Sequence, residues 1–317
     1  GGFITTYASW RWIFLLNVPL GLAALVCTCL IVRNKRADEQ RPLDWVGFVL
    51  AGGALTCLLL GTETAGQEDA QFTRAAVLVG ASVLFGVAAW LHARRCAYPL
   101  LDFTTLKVPT FSVTVLTGSV TRIAINAVPY LLPLLFQIGF GLSPFQSGLL
   151  LLASALGNLG MKAGTSWILD RFGFRRVALV DVTIVGFFTI ACGWLTASTP
   201  LAITLLVVFV YGLTRSMQFT TLATLAYADV PSHQTSAAST LWSAAQQMTI
   251  GMGIAFGALA LRLAALMRGD AAGIHYVLDD FRWAFVAAGV LALLTLPGYA
   301  RLASDAGDRL RASVARG

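Results

Sequence analysis

The chain has 317 residues, of which 57% are hydrophobic and only 12% are charged, and its formal net charge is +7. A soluble domain carries roughly 25% charged residues, so these charges are too few to cover a surface in water, and lipid must solvate most of it. The basic residues lie in short segments between apolar runs rather than along one stripe, which excludes the nucleic-acid-binding protein that a positive charge otherwise suggests.

Nine apolar runs follow one another along the chain, and each is long enough to cross a bilayer as a helix. One crossing needs roughly 17–25 predominantly apolar residues. This criterion predicts spans at about 12–32, 45–61, 75–92, 110–137, 146–168, 177–196, 201–226, 237–264 and 282–300. The run 110–137 is long for one span, and Pro129 and Pro133 are expected to bend it. The sequence therefore predicts an all-α membrane protein.

The segments between the runs form two alternating sets that differ in their number of basic residues. One set, together with the C-terminal segment, holds Arg33, Lys35, Arg36, Arg41, Arg94, Arg95, Lys107, Arg171, Arg175, Arg176, Arg301, Arg309, Arg311 and Arg316. The other set holds only Arg11, Arg74, Arg268 and Arg282. Because cytoplasmic loops carry the excess of Lys and Arg, we expect the C-terminus and the loop near residue 171 to lie in the cytoplasm.

The sequence offers little support for enzymatic or metal chemistry. Its five cysteines and three histidines show no metal-ligand spacing. It contains neither a phosphate-binding glycine-rich loop followed by Lys-Ser/Thr nor a Ser/His/Asp arrangement. We therefore expect no cofactor, no metal site and no catalytic residues, and we do not expect an enzyme.

Ionisable residues inside a span are costly, by roughly 2.5–3.5 kcal/mol at a helix centre, and each needs a reason. Arg122 and Arg215 lie near the middle of their spans, and Asn126 and Gln218 follow them by one helical turn, so each amide is expected to share a face with its arginine. Together with Gln246, these residues are the predicted substrate or coupling site. The alternative is structural: the arginines pair with carboxylates or carbonyls elsewhere, and the amides bond between helices.

Two other charges inside the apolar runs are interpreted more simply. Lys162 lies near the cytoplasmic end of its span and is expected to extend its ammonium group to the membrane surface. Asp181 follows Arg176 by five residues. We interpret it as the ion-pair partner of a loop arginine rather than as a proton relay.

Glycines four residues apart let two helices approach closely. The sequence contains two such pairs inside apolar runs, Gly160 with Gly164 and Gly253 with Gly257. We predict that both pairs lie at helix–helix contacts.

Three segments resemble the fourteen-span drug:proton antiporters of the major facilitator superfamily, the EmrB/QacA type. Residues 9–21 are similar to the run that opens the sixth span of that family, and residues 225–231 to the junction of its twelfth and thirteenth spans. The segment 166–176 is similar to the family's cytoplasmic loop signature, although Ser166 and Phe174 depart from it. The combination of 141–148, Met161-Lys162 and Arg215 looks most like the MdtD-like subset.

This resemblance implies a helical bundle in which the chain supplies about nine of fourteen spans. It implies that 1–44 ends an N-terminal six-helix half, 45–108 forms two linking membrane helices, 109–300 forms the C-terminal six-helix half and 301–317 is a cytoplasmic tail. The chain is then expected to be a fragment whose partner is the rest of the N-terminal half. The expected location is the bacterial inner membrane.

The resemblance also implies a secondary active transporter, with protons and a small molecule as partners, that exports drug-like or small-metabolite substrates by alternating access. The alternative is a proton-coupled carrier of organic anions or metal chelates, supported by the two basic mid-span residues. A solute sensor on the same scaffold is a third hypothesis. Within the loop signature, Asp170, Arg171, Gly173 and Arg175 are expected to bias the inward against the outward state, or else only to fix the topology.

Overall fold

The computed structural model describes residues 11–31, 43–66, 72–96, 98–270 and 275–303, and the regular structure in these ranges is helical throughout. Short 3₁₀ turns precede two of the helices. The α-helices are α1 (Arg11–Ile31), α2 (Trp45–Gly66), α3 (Phe72–Ala93), α4 (Pro109–Leu134), α5 (Pro144–Phe172), α6 (Phe174–Gly193), α7 (Leu201–Tyr227), α8 (Thr235–Met267), α9 (Leu278–Leu293) and α10 (Leu296–Ala300).

Seven helical segments are long and apolar enough to cross a membrane, and they confirm seven of the nine predicted spans. They are Trp45–Thr64, Thr73–Ala93, Pro109–Gly139, Phe174–Gly193, Leu201–Tyr227, Thr235–Met267 and Leu278–Ala300. The predicted span 12–32 falls on α1, whose apolar part, Asn17–Ile31, is shorter. The predicted span 146–168 falls on α5, a helix of 29 residues that is less apolar than the other seven because Asn158 and Lys162 interrupt it.

Helix α4 lies at the centre of the bundle and packs against α7, α8 and α9. In the apolar stretch of this helix, 61% of the residues are buried, which is a larger share than in the other membrane-length segments of the described ranges. Its two prolines do not end it. Instead, the hydrogen bonding changes just after Pro133 to a π turn over Leu135–Gly139, in which the Phe140 amide donates to the Leu135 carbonyl at 3.0 Å. The polypeptide thus continues as a helix beyond both prolines to Gly139.

Helices α5 and α7 approach so closely that two glycines are required where they cross. A Cβ on Gly157 would lie 2.2 Å from the Phe209 carbonyl oxygen, and a Cβ on Gly212 would lie 2.1 Å from the Ser154 carbonyl oxygen. Both obstacles are backbone atoms, which cannot move aside as the end of a side chain can. The crossing therefore depends on the absence of side chains at both positions.

The glycine pair on α8 behaves as predicted, but the pair on α5 does not. A Cβ on Gly253 would lie 2.5 Å from the Asn126 Cβ, and one on Gly257 would lie 3.3–3.4 Å from atoms of α4. The prediction for Gly160 and Gly164 is wrong for the part of the chain that the structure describes: there, a Cβ on Gly160 would meet nothing within 4 Å, and one on Gly164 only a side chain of its own helix. The face of α5 that meets α7 carries Gly157 instead.

Helices α2 and α3 form a hairpin whose open end is closed by a clasp of Asp44, His92 and Leu100. Asp44 caps α2 by accepting a hydrogen bond from the Gly47 amide at 2.8 Å, and its Oδ1 also accepts from His92 Nε2 at 2.8 Å. Its Oδ2 accepts from the Leu100 amide at 3.1 Å. The Asp44 side chain is only 5% exposed, so the carboxylate joins the start of α2 to the end of α3 and the segment beyond it.

The clasp also brings together groups that could ligate a metal, which the sequence spacing did not indicate. The ligand atoms of Asp44, His92 and Cys96 lie within 4.8 Å of one another. Three protein donors already occupy the carboxylate, and these hydrogen bonds account for its position without an ion.

The hydrogen bonds of the clasp also determine its response to acid. Burial raises the pKa of Asp44, but the bonds from Gly47, His92 and Leu100 together outweigh it, so the pKa lies below its ordinary value of 3.8. A carboxyl with a lower pKa in the folded state contributes stability that is complete above the ordinary pKa and is lost as the pH falls through the folded-state value.

We therefore expect Asp44→Asn to lower the melting temperature at pH 7 and to weaken the further loss of stability below about pH 4. Tryptophan fluorescence in detergent measures both effects. The control is Asp102→Asn, which changes a carboxylate whose bonds are to Thr104, two residues away. Equal melting of the two variants at pH 7 contradicts a role for the clasp.

Candidate functional site

Two adjoining cavities, here together called the Arg215 cavity, lie between α5, α7 and their neighbours. Their volumes are about 500 and 390 Å³, and Arg215 and Asn158 line both. Pockets for small ligands measure roughly 300–1,000 Å³, so each part has the size of a solute. The polar and aromatic lining is supplied by Ser154, Asn158, Lys162, Tyr211, Arg215, Ser216, Phe219, Thr220, Trp242 and Gln246.

The charged groups of the Arg215 cavity are basic. Arg215 is half-buried, its Nε is buried without a hydrogen-bond partner among the described residues, and its Cζ lies 5.7 Å from the Phe219 ring centroid. Lys162, expected at the membrane surface, is exposed and lines the same cavity. The described lining residues include no carboxylate. The cavity therefore offers cationic donors beside aromatic faces, an arrangement that suits an amphipathic ligand.

Arg122 lies behind the wall of this cavity rather than in it. Its side chain is fully buried, and its Cζ lies 4.1 Å from the ring centroid of Trp242, which lines the cavity. Its Nη2 donates a long hydrogen bond to Ser119 Oγ at 3.4 Å, whereas Nε and Nη1 have no partner in the described part of the chain. Trp242 is thus a lining residue of the cavity that Arg122 contacts directly.

Gln218 begins a chain of buried hydrogen bonds, here called the Tyr299 chain. Gln218 Nε2 donates to Tyr299 Oη at 2.9 Å, and Tyr299 Oη lies 2.9 Å from Thr121 Oγ1. Thr121 donates to Thr295 Oγ1 at 3.0 Å, and Thr295 donates to the Ala292 carbonyl at 2.6 Å. Thr121 Oγ1 also lies 3.2 Å from the Thr117 carbonyl oxygen, and either hydroxyl of the Thr121–Tyr299 pair could be the donor. The chain joins α7, α10, α4 and the end of α9.

The sequence predicted that Asn126 shares a face with Arg122 and Gln218 with Arg215, and that these residues together form one site. The structure brings only some of them to the cavity. Asn126 donates to the Thr249 carbonyl at 3.4 Å and packs where α4 meets Gly253 of α8, so its described contacts are those of an interhelical bridge. Of the five predicted site residues, the structure places Arg215 and Gln246 on the cavity and Arg122, Asn126 and Gln218 in the packed interior behind it.

The loop signature forms a one-residue connection between α5 and α6. Gly173 has φ of +77° and ends α5 by donating its amide to the Leu169 carbonyl at 3.0 Å; a side chain would be strained in this conformation. Asp170 and Arg171 are exposed on the last turn of α5. Arg175 Nη2 donates to the Ala300 carbonyl at 2.9 Å. The loop is thus attached to the end of α10.

Sequence reasoning missed Trp242, Thr121, Thr295 and Tyr299. These residues are uncharged, and hydroxyl or indole groups in an apolar run are common enough to pass unnoticed. The available signal was that the aromatic residues carry hydrogen-bonding groups, which seek partners when buried. Their partners are far away in the sequence: Thr121 and Tyr299 are 178 residues apart.

Helices of membrane length that pack around a buried arginine and a buried hydrogen-bonded chain define an integral, multi-pass α-helical membrane protein. The family model of the Major Facilitator Superfamily matches residues 1–256, and the chain belongs to this family. Its members are transporters rather than enzymes, and the fold expected from the sequence is confirmed.

The curated relatives agree with the resemblance found in the sequence. Proteins carrying the name multidrug resistance protein MdtD are 27% identical over 311 residues in Serratia proteamaculans, covering 96% of this chain and 64% of the relative, and 33% identical over 264 residues in Pectobacterium carotovorum, covering 82% and 56%. The transport protein HsrA of Haemophilus influenzae is 29% identical over 313 residues, covering 98% and 66%. The chain thus spans about two thirds or less of the length of these relatives.

Proposed function

We propose that the chain forms part of a proton-coupled secondary transporter that exports drug-like or small-metabolite substrates across the bacterial inner membrane. The observation that carries this proposal is the Arg215 cavity, where Arg215 and Gln246 stand beside the aromatic rings of Phe219 and Trp242. A ligand with an apolar body and one polar group matches such a lining. The names of the relatives, multidrug resistance and transport proteins, support the same class of substrate.

Alternating access is proposed to come from rocking of 109–300 against a facing half. The residues that the relatives have beyond the matched part would supply that half, and 45–108 would link the two. The proposed orientation places the C-terminus and the 166–176 loop in the cytoplasm. The bond from Arg175 to the Ala300 carbonyl supports a gating role for the loop, because a contact between a loop and a helix end can form in one state and break in the other.

The charge of the cavity bears on the substrate. Lys162 and Arg215 are the charged groups among its described lining residues, and a cation in this space would need a carboxylate from elsewhere in the full-length protein. An organic anion or a metal chelate would be attracted by these two side chains directly. The alternative carrier of anions therefore remains the second candidate.

The test uses proteoliposomes that contain the full-length protein under an imposed pH gradient. A lipophilic cation and a panel of organic anions are added in turn, and internal pH is recorded. We expect the cation to collapse the gradient, and Arg215→Ala to lower the apparent kcat/KM at least tenfold, equivalent to about 1.4 kcal/mol. The control is Arg94→Ala, which removes a surface arginine stacked 3.8 Å above the Trp90 ring.

A response to anions alone would move the carrier of anions to first place. If no solute changes the internal pH while labelled substrate still crosses, proton coupling is wrong. If Arg215→Ala and Arg94→Ala behave alike, the Arg215 cavity is not the binding site.

A further inference from the structure

Asp181 of α6 is a buried acid for which the described residues provide no cation. Its residue is 6% exposed, and its Oδ2 is buried without a hydrogen-bond partner in the described ranges. The sequence-based expectation of an ion pair with a loop arginine is wrong for the residues that the structure describes: Arg175 donates to the Ala300 carbonyl instead. None of the ion pairs among the described residues includes Asp181.

A carboxylate in such a place is unstable unless it carries a proton. Removing an unpaired charge from water costs several kcal/mol even after the protein relaxes, whereas burying the neutral acid costs far less. The helices that bury Asp181 belong to this chain, since α6 packs against α9, α7 and α10. The acid is therefore enclosed within this bundle and does not depend on a facing half for its burial.

Tyr299 connects Asp181 with the candidate site. The tyrosine on α10 lies near enough to both Asp181 and Arg122 for their charges to act on its hydroxyl group. It is also the central member of the Tyr299 chain, which begins at Gln218 on α7. Helix α7 carries Arg215, one turn before Gln218. A negative charge at Asp181 would therefore arise close to Tyr299 and to the hydrogen-bonded residues next to the Arg215 cavity.

The neighbouring helices carry further charged groups. Arg282 of α9 faces Gly193 at the opposite end of α6, twelve residues from Asp181 and therefore about 18 Å along the helix. Asp279 pairs with Arg282, and Asp280 with Arg268. The remaining charges on α6 and on the elements that pack against it are Arg122 on α4, Lys162, Asp170 and Arg171 on α5, Arg175 and Arg176 on α6 itself, and Arg215 on α7.

We propose that Asp181 is a proton-binding site of this bundle, protonated in the packed arrangement and deprotonated when water reaches its carboxyl group. The inference rests on the proposed proton-coupled transport and adds a coupling residue to it. In the packed state the acid is neutral and Tyr299 keeps its bonds to Thr121 and Gln218. When water reaches the carboxyl, its proton leaves, and the resulting carboxylate opposes repacking until a proton returns.

The first test reads the proton directly and needs no transport. Infrared spectroscopy of the full-length protein at pH 7 should show a protonated-carboxyl stretch that Asp181→Asn removes and that Asp279→Asn, a change of an exposed acid, leaves in place. Asp181→Glu should shift the band rather than remove it, which identifies the residue even if the asparagine variant folds poorly. Identical spectra for wild type and a folded Asp181 variant overturn the proposal.

The second test separates coupling from binding. Asn resembles the neutral acid, so Asp181→Asn should retain exchange of labelled substrate within about twofold of wild type but lose at least tenfold in transport driven by a pH gradient. Gradient-driven transport at the wild-type rate in this variant overturns the coupling role. A wild-type protein that transports nothing refutes the proposed function instead, while the infrared result still decides whether Asp181 holds a proton.

Discussion

Gly212→Ala is expected to disrupt the packing of α5 against α7 and to lower the yield of folded protein sharply. The added Cβ would lie 2.1 Å from the Ser154 carbonyl oxygen and 2.8 Å from two further Ser154 backbone atoms. Because neither helix can move a single atom aside, the two must separate along their contact, and overpacking of this kind typically costs ~1–3 kcal/mol, occasionally more. Size-exclusion profiles and melting temperatures in detergent measure the loss.

The matched control is Gly160→Ala on α5. A Cβ at this position would meet no described residue within 4 Å, and alanine is favoured over glycine inside a helix by roughly 0.5–1 kcal/mol. Its melting temperature should equal or exceed that of the wild type. If Gly212→Ala has the same melting temperature as Gly160→Ala, α5 and α7 do not approach each other as closely as described. Gly157→Ala, the reciprocal change on the other helix, should resemble Gly212→Ala.

These glycines show where sequence reasoning stops. Spacing identified Gly160 and Gly164 as a contact because the motif is local, but it cannot say which side of a helix meets a neighbour. Only the packing shows that α5 turns Gly157 towards α7. The same method succeeded on α8 because Gly253 and Gly257 happen to lie on the face that meets α4.

The spans were predictable because the bilayer imposes length and polarity on every crossing. The exception is instructive: α5 is the least apolar of the predicted spans from 45 onwards that the structure describes, and it supplies Asn158 and Lys162 to the Arg215 cavity. A helix with a polar side needs fewer apolar residues on average. The low hydropathy of α5 made its span harder to predict. It also indicated that one side of this helix lines a polar cavity.

The candidate site was predictable as a set of residue types but not as an arrangement. The cost of charge inside a membrane identifies Arg122 and Arg215 from the sequence. It cannot show that one lines a cavity and the other stacks behind Trp242. Partners such as Tyr299 lie too far along the chain for any local pattern to reveal them, and Asp181 was misjudged because a nearby arginine in sequence is not a nearby arginine in space.

Arg122→Ala is expected to abolish transport in the full-length protein while leaving membrane insertion and folding intact. The guanidinium group stacks on Trp242, a wall of the Arg215 cavity, and contacts of this kind contribute about 2 kcal/mol or more where water is excluded. Its loss should free the indole ring and change the shape of the cavity wall. Initial rates in proteoliposomes should fall at least a hundredfold. The rate of Arg122→Lys should lie between those of the wild type and Arg122→Ala, because an ammonium group keeps the charge but not the planar stacking.

Stability distinguishes a functional arginine from a structural one. Arg122 is fully buried, and two of its nitrogens have no partner among the described residues. Such a charge is costly, so Arg122→Met, which removes the charge but keeps most of the side-chain volume, should leave the melting temperature unchanged or raise it even as transport is lost. A structural arginine that supports Trp242 alone would give the opposite result, a lower melting temperature with proportionate loss of activity. Transport at the wild-type rate in Arg122→Ala would remove Arg122 from the site altogether and leave Arg215 and Gln246 as its polar residues.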